Sequence, residues 1–276
     1  MKLEGKTRLI SFGCSFTSGA ELIDHEILGI SFEDCNKMKR QWTADKKQLV
    51  EFENYVVRAG KTNWKEYINN CSKRSYAAKL ATKLGLEHVN CAIPGSAVDH
   101  MVLDLFREHY TEKLNSTTDL LLLGMTMPHR YLCFTERGIP VSRVLSERDF
   151  ITSDEHYNDY KVMQTYMCAL QNFKNFCIVN NYDFYIQPIL PKELLFYNAP
   201  ESKHGNIFPD MHFNWQYLPT FKKTFQELLD CSIDGNISLF SRSEEYGMVC
   251  GFKHPPEQAH VFFAEALYDK IINTKN

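Results

Sequence analysis

A chain of 276 residues with a net charge of −3 has no basic field to recruit nucleic acid and no polybasic arm for a membrane surface. Apolar residues at 44% and charged residues at 24% are those of a soluble globular protein with material for a sizeable core. No run approaches the ~18 apolar residues of a membrane span.

In chain order, Arg8–Phe12 reads as a short buried strand that ends on Gly13-Cys14-Ser15. Residues 24–71 are long, charged and Trp-bearing, with a helix expected around Lys46–Arg58. Ser72–Leu84 has helical spacing through Tyr76, Ala77, Leu80, Ala81 and Leu84. A strand over Glu87–Ala92 leads into Pro94-Gly95-Ser96, and a helix is expected over Ala97–Leu114. Asp119–Gly124 reads as the next strand, followed by Gly124-Met125-Thr126. Residues 130–155 are polar, with Gly138-Ile139-Pro140 marking a turn. A helix over Asp159–Asn180, a strand over Asp183–Leu190, and helices over Trp215–Leu229 and Pro255–Ile272 complete the pattern.

Strands alternating with helices predict an α/β fold: a three-layer α/β/α sandwich around a mostly parallel, flavodoxin-like sheet of about five strands. A single domain over residues 1–276 is the simplest account. Its insertions, at about 24–71 and 130–155, have the lengths of lids or binding loops. Nine cysteines without a C-x-x-C pair, several in apolar runs (Cys91, Cys168, Cys177), read as small buried hydrophobes of a reducing compartment. The N-terminus lacks the features of a signal peptide. The expected location is cytoplasmic, with release by lysis or association with a virion as variants.

In a parallel sheet, sites lie outside the carboxyl ends of the strands. That rule puts Gly13-Cys14-Ser15, Pro94-Gly95-Ser96 and Gly124-Met125-Thr126 on one rim. Together with His254-Pro255 before the last helix, these blocks resemble the SGNH (GDSL-like) hydrolase family over a core running from residue 7 to about residue 272. The resemblance implies that Ser15 is the nucleophile and His254 the general base. It also implies an oxyanion hole of the Ser15 and Gly95 amides with Thr126, no cofactor, and a short acyl ester as substrate, commonly an acetyl group on a sugar or other small alcohol.

The chemistry of the residues agrees. A serine hydroxyl attacks once an imidazole within hydrogen-bond reach takes its proton. A turn between strand and helix exposes that hydroxyl, and a helix amino end favours the negative charge developing nearby. Gly95 lets a backbone donor approach without a side chain in the way. Two prolines after His254 fix the imidazole at a helix start.

Three positions depart from the family. Cys14 stands where Asp is usual, Thr126 where an Asn amide donates to the oxyanion, and Gly251 where an acid precedes the histidine by three. Losing a competent acid drops turnover of a serine protease by about 10⁴. Glu257 could orient His254, but it reads better as an acid stabilising the first helical turn. The function expected is therefore a serine esterase with a Ser-His dyad or atypical triad. The alternatives are a binding or structural module on the same scaffold and an acyltransferase using the same site. Arg130 offers an anion or sugar contact.

Simpler roles exist for most of these groups. Ser15 could serve only as a turn or helix cap, Ser96 as the cap beside Gly95, and Thr126 as a loop hydroxyl. His260 reads as packed rather than catalytic. Trp42, Trp64, Tyr55 and Tyr67 could stack on sugar rings but read as the small core of the first insertion. His204, His212, His254 and His260 lack metal-ligand spacing, so no metal is expected. Partners are expected to be a small-molecule or carbohydrate ester, with no nucleic acid and no membrane, and the oligomeric state is open.

Overall fold

The computed structural model describes residues 3–44, 49–125, 130–135, 138–144, 159–189, 219–240 and 255–273. β1 (Arg8–Phe12) runs into a one-turn helix, α1 (Ser15–Ser18), and then into α2 (Asp24–Leu28), α3 (Phe32–Ala44), α4 (Leu49–Ala59) and α5 (Trp64–Ser72). α6 (Tyr76–Leu84) leads to β2 (Glu87–Asn90), and α7 (Val98–Tyr110) leads to β3 (Asp119–Met125). A hairpin of β4 (Arg130–Phe134) and β5 (Pro140–Val144) comes next. α8 (Asp159–Val179), β6 (Asp183–Pro188), α9 (Pro219–Leu229) and α10 (Glu257–Asn273) complete the described chain.

The fold is α/β. Its main sheet has the order β2-β1-β3-β6, and every pairing in it is parallel. Four strands are described in it, against the about five expected. β3 is buried along its whole length, as a central strand covered on both faces must be, and its sequence is correspondingly apolar. β2, at an edge, is only half-covered and carries Glu87, His88 and Asn90. One apolar core joins the strands to α6, α7, α8 and α10. Phe12 meets Phe173 of α8 edge-on at 6.2 Å between ring centroids, and Phe106 meets Phe176 at 4.7 Å.

Several boundaries differ from the expected ones for local reasons. The helix expected over Ser72–Leu84 is two elements: Ser72 closes α5, and Ser75 starts α6 afresh by accepting the Ala78 N–H at 3.3 Å. β2 stops at Asn90 rather than Ala92 because the Asn90 side chain accepts the Ala92 N–H at 3.0 Å and bends the chain away. β6 ends at Pro188, which has no N–H to continue a ladder. Just before it, the buried Gln187 amide donates to the Asp234 and Ile237 carbonyls at 3.0 and 3.1 Å, drawing the segment after α9 onto the strand.

The first insertion is a helical layer with its own core of Ile23, Cys35, Phe52, Val56, Val57, Tyr67 and Cys71. Of the four aromatics expected to form that core, Tyr67 is in it and Trp42 packs on it, edge-on to Phe52, whereas Tyr55 and Trp64 are exposed. Among the cysteines, Cys177 is buried as expected, whereas Cys91 is half-covered and Cys168 is exposed. The apolar run around Cys168 is one side of a helix whose other side faces water, which sequence hydropathy alone does not separate. Among the described residues no helix is long and apolar enough to cross a membrane.

Candidate active site

The three strand-end blocks meet at the carboxyl edge of the sheet. Ser11 pairs with Asn90 and Phe12 with Leu123, so β2 and β1 end within one residue of each other and β3 runs on to Met125 beyond them. The Ile93 N–H then donates to the Gly13 carbonyl at 3.0 Å, joining the block that holds Ser15 to the block that holds Gly95.

Ser15 opens α1 and is 7% exposed. The N-cap is Cys14, whose side chain makes no capping bond, so Ser15 stands one position inside the helix rather than at the cap. The helix is a single turn of four residues, so the expected help from a helix dipole is reduced to a few backbone N–H groups. Cys14 is fully buried on the core side.

Thr17, two positions after Ser15, explains two glycines. A Cβ on Gly13 would lie 2.2 Å from Thr17 Oγ1, and one on Gly124 would lie 2.1 Å from the same oxygen. The Gly124 position also faces the Tyr76 hydroxyl, 2.9 Å from where its Cβ would be. Tyr76 Oη lies 3.5 Å from Thr17 Oγ1, and burial pushes the phenol's pKa well up, keeping it a neutral hydroxyl. The third block's glycine is thus a recess that receives α1. The cue available in sequence was a small β-branched residue one turn after Gly13, too weak to use without the fold that brings Gly124 to it.

Gly95 has φ +80° in a turn closed by the Ser96 N–H on the Ile93 carbonyl at 3.0 Å. Proline then glycine at the centre of such a turn is the type II pattern, which requires the left-handed φ that glycine supplies. No atom lies within 4 Å of where its Cβ would be, so this backbone faces open space. Ser96 is not the helix cap: Ala97 is, and its N–H donates to Ser142 Oγ of β5 at 2.9 Å. Ser142 Oγ also bonds His100 Nδ1 at 2.9 Å, and Asp99 Oδ2 accepts the Leu132 N–H of β4 at 2.9 Å. The second insertion is therefore stapled to the start of α7, next to Gly95. Sequence gave no cue to these partners, which are 33 to 45 positions apart.

His254, Thr126 and Gly251 lie outside the described residues, as do His204 and His212. Arg130 begins β4, paired with Val144, and its side chain is likewise outside them. The chain resumes at Pro255, which is buried. From there α10 runs against α6: His260 Nδ1 accepts the Tyr76 N–H, the first orphan donor of α6, at 3.0 Å. His260 is 2% exposed and stacks on the Tyr76 ring, the packed role expected of it. α6 in turn abuts α1, where a Cβ on Gly19 would lie 3.0 Å from Ser75 Cβ. The start of α10 and the Ser15 turn therefore share one corner. Glu257 sits in the first turn of α10 with Arg74 Nη1 at 2.9 Å and Lys79 Nζ at 2.8 Å, and this pairing lowers its pKa against the opposing effect of burial. Among the described residues no group of three or more His, Cys, Asp or Glu is arranged to hold a metal. No family model matches this chain, and comparison with curated proteins finds no match either.

Proposed function

We propose that this chain is a serine esterase of SGNH type that hydrolyses a short-chain acyl ester, an O-acetylated carbohydrate being the favoured substrate class. The observation that carries the reading is the Ile93 N–H to Gly13 carbonyl bond, which brings the Ser15 and Gly95 blocks together at the sheet edge. In this reading His254 takes the Ser15 proton as Oγ attacks the ester carbonyl carbon. The Ser15 and Gly95 amides, with Thr126, hold the oxyanion. His254 gives the proton to the departing alcohol, and water, activated by the same imidazole, then releases the acid. Arg130 would contact the sugar or an anion on it. The reading uses no cofactor, nucleic acid or membrane, and keeps the protein in the cytoplasm.

The same reading takes the fold as a three-layer sandwich of one domain. The pleat turns Phe12 and its register partner Leu123 to one face and Gly124 to the other. Phe173 of α8 meets Phe12, whereas Tyr76 of α6 lies at Gly124, which supports helices on both sides.

A second reading, a binding module without turnover, is favoured by Glu257. Both of its oxygens are engaged by cations, so it does not supply the acid that Gly251 lacks. A fluorophosphonate probe separates the two. The esterase is expected to label at Ser15, as mapped by mass spectrometry, and to lose that label in Ser15→Ala and in His254→Ala. A folded protein that takes no label belongs to the binding class.

A further inference from the structure

We propose that Thr17 is a positioning residue for Ser15: its hydroxyl, seated between Gly13 and Gly124 and facing the Tyr76 hydroxyl, sets where the nucleophile stands. The proposal rests on the esterase reading with Ser15 as nucleophile.

The turn that carries Ser15 has little to hold it from within. α1 has four residues, too few for the cooperativity that steadies a longer helix. Cys14 at its N-cap makes no side-chain bond to the first N–H groups, a bond that serine or aspartate makes at that position. The bonds that remain are local. The Thr17 and Ser18 N–H groups donate to the Cys14 carbonyl at 3.0 and 2.9 Å, and the Ser18 hydroxyl and the Ala20 N–H donate to the Ser15 carbonyl at 3.0 Å each. These bonds give the turn its shape but not its place on the sheet.

Its place comes from close approaches to other elements. A Cβ on Gly19 would lie 2.5 Å from the Cys71 carbonyl oxygen, so the far end of the turn rests on the end of α5. On the sheet side, Thr17 Oγ1 fills the space that a Cβ on Gly13 or on Gly124 would need, at 2.2 and 2.1 Å. Thr17 and Tyr76 are both fully buried, and their hydroxyls lie 3.5 Å apart. Gly13 follows β1, Gly124 lies in β3 and Tyr76 opens α6, so one hydroxyl registers the turn against three elements. An oxygen fits this recess, whereas a methyl group there would press on both glycines. Removing either hydroxyl leaves the other buried without that partner. Ser15 is two residues from Thr17 in the same turn, so a shift of Thr17 carries Ser15 with it.

Positioning and packing differ in what they change. If Thr17 only packs, its loss lowers stability and leaves the turnover of the folded molecules unchanged. The test uses the full chain well below its unfolding midpoint, with p-nitrophenyl acetate and the fluorophosphonate. Thr17→Val keeps the branched shape but puts a methyl in the recess. It is expected to lower kcat and the rate of Ser15 labelling about tenfold with KM held, since a full ångström of misplacement costs about 10²-fold. Thr17→Ser, which keeps the oxygen and drops the methyl, should recover most of the rate. Tyr76→Phe removes the facing hydroxyl without crowding the recess; it should slow labelling to an intermediate degree, and it carries the test if Thr17→Val does not fold. Wild-type kcat and labelling in both Thr17→Val and Tyr76→Phe overturn the positioning role while leaving the esterase standing. Equal losses in Thr17→Ser and Thr17→Val trace the effect to packing of the methyl and overturn it as well. Absence of Ser15 labelling in the wild type removes the esterase reading and the positioning role with it.

Discussion

The two insertions join the same sheet edge by different physics. Residues 24–71 bring a core of their own and, with Glu21 just before them, a buried ionic knot: Lys39 Nζ lies 2.7 Å from Glu21 Oε2 and 2.8 Å from Asp24 Oδ2, and the Tyr67 hydroxyl donates to Asp24 Oδ1 at 2.7 Å. All three charged side chains are under 5% exposed. The hairpin β4–β5 has polar staples to α7 and an exposed tip, with Phe134 at 59% and Ile139 at 54%. A layer whose charges are buried and paired can be removed only at high cost, whereas a stapled hairpin can shift with its neighbours. The lengths of the two segments suggest lids in both cases, but the helical one is built as scaffold.

Lys39→Met tests that contrast with the largest effect. Burial raises the Asp24 carboxyl, while the two carboxylates raise the Lys39 ammonium despite its own desolvation, so the knot depends on the cation. Removing one partner of a buried pair costs about 3–5 kcal/mol. The urea midpoint of Lys39→Met is expected to fall accordingly, and Glu21→Gln with Asp24→Asn in the same chain should restore part of it. Glu21 holds a left-handed backbone, φ +71°, that few residues other than glycine adopt. A loss below about 1 kcal/mol would mean that water reaches the knot and that the insertion is no more integral than the hairpin.

The parts of the molecule legible in sequence were those with local causes. β1, β3 and the helices against them follow from apolar runs and spacing, and the order of strand-end glycines follows from the parallel architecture. What stayed hidden depends on pairs distant in the chain. Lys39 with Glu21, Arg74 with Glu257, Asp99 with the Leu132 N–H and Gln187 with the Asp234 carbonyl are polar side chains that look solvated until the fold closes over them. Thr17 is the same lesson for a small hydroxyl, because its role appears only when Gly124 arrives from another strand.

Between the insertions in sequence lies β2, whose His88 gives the next largest expected effect. Its ring bonds Ser11 Oγ at 2.9 Å, and burial holds its pKa down to about 4. The unfolded chain takes up a proton near pH 6.5, while the folded chain stays neutral at this ring until about pH 4. Stability should therefore decline as pH falls through that window, by at most about 3 kcal/mol, and level off below it. His88→Gln, with no titrating ring, should flatten this part of the acid limb in urea titrations. An unchanged slope would assign the acid loss to carboxylates that the fold holds below their ordinary value, such as Glu257 between Lys79 and Arg74, rather than to the sheet edge.

The smallest effect belongs to the hairpin and decides whether it is a separate unit. Asp99 accepts the Leu132 N–H with one oxygen and the His100 N–H with the other, so Asp99→Ala removes the staple on β4 and an acid from the first turn of α7. Leu132 is half-buried, and water can take over its N–H, which keeps the loss near 1 kcal/mol or less. Native-state hydrogen exchange is the better measure because it resolves local opening from global unfolding. The Leu132 amide and its hairpin neighbours should exchange faster in Asp99→Ala, while the amides of Phe52 and Val56 in α4 keep their protection. Asp99→Asn, which retains an acceptor oxygen, should return the hairpin toward the wild-type rate. Equal acceleration in α4 and the hairpin would show one cooperative unit and erase the contrast, since a staple whose loss loosens the insertion core must be transmitting through the sheet rather than fastening its edge.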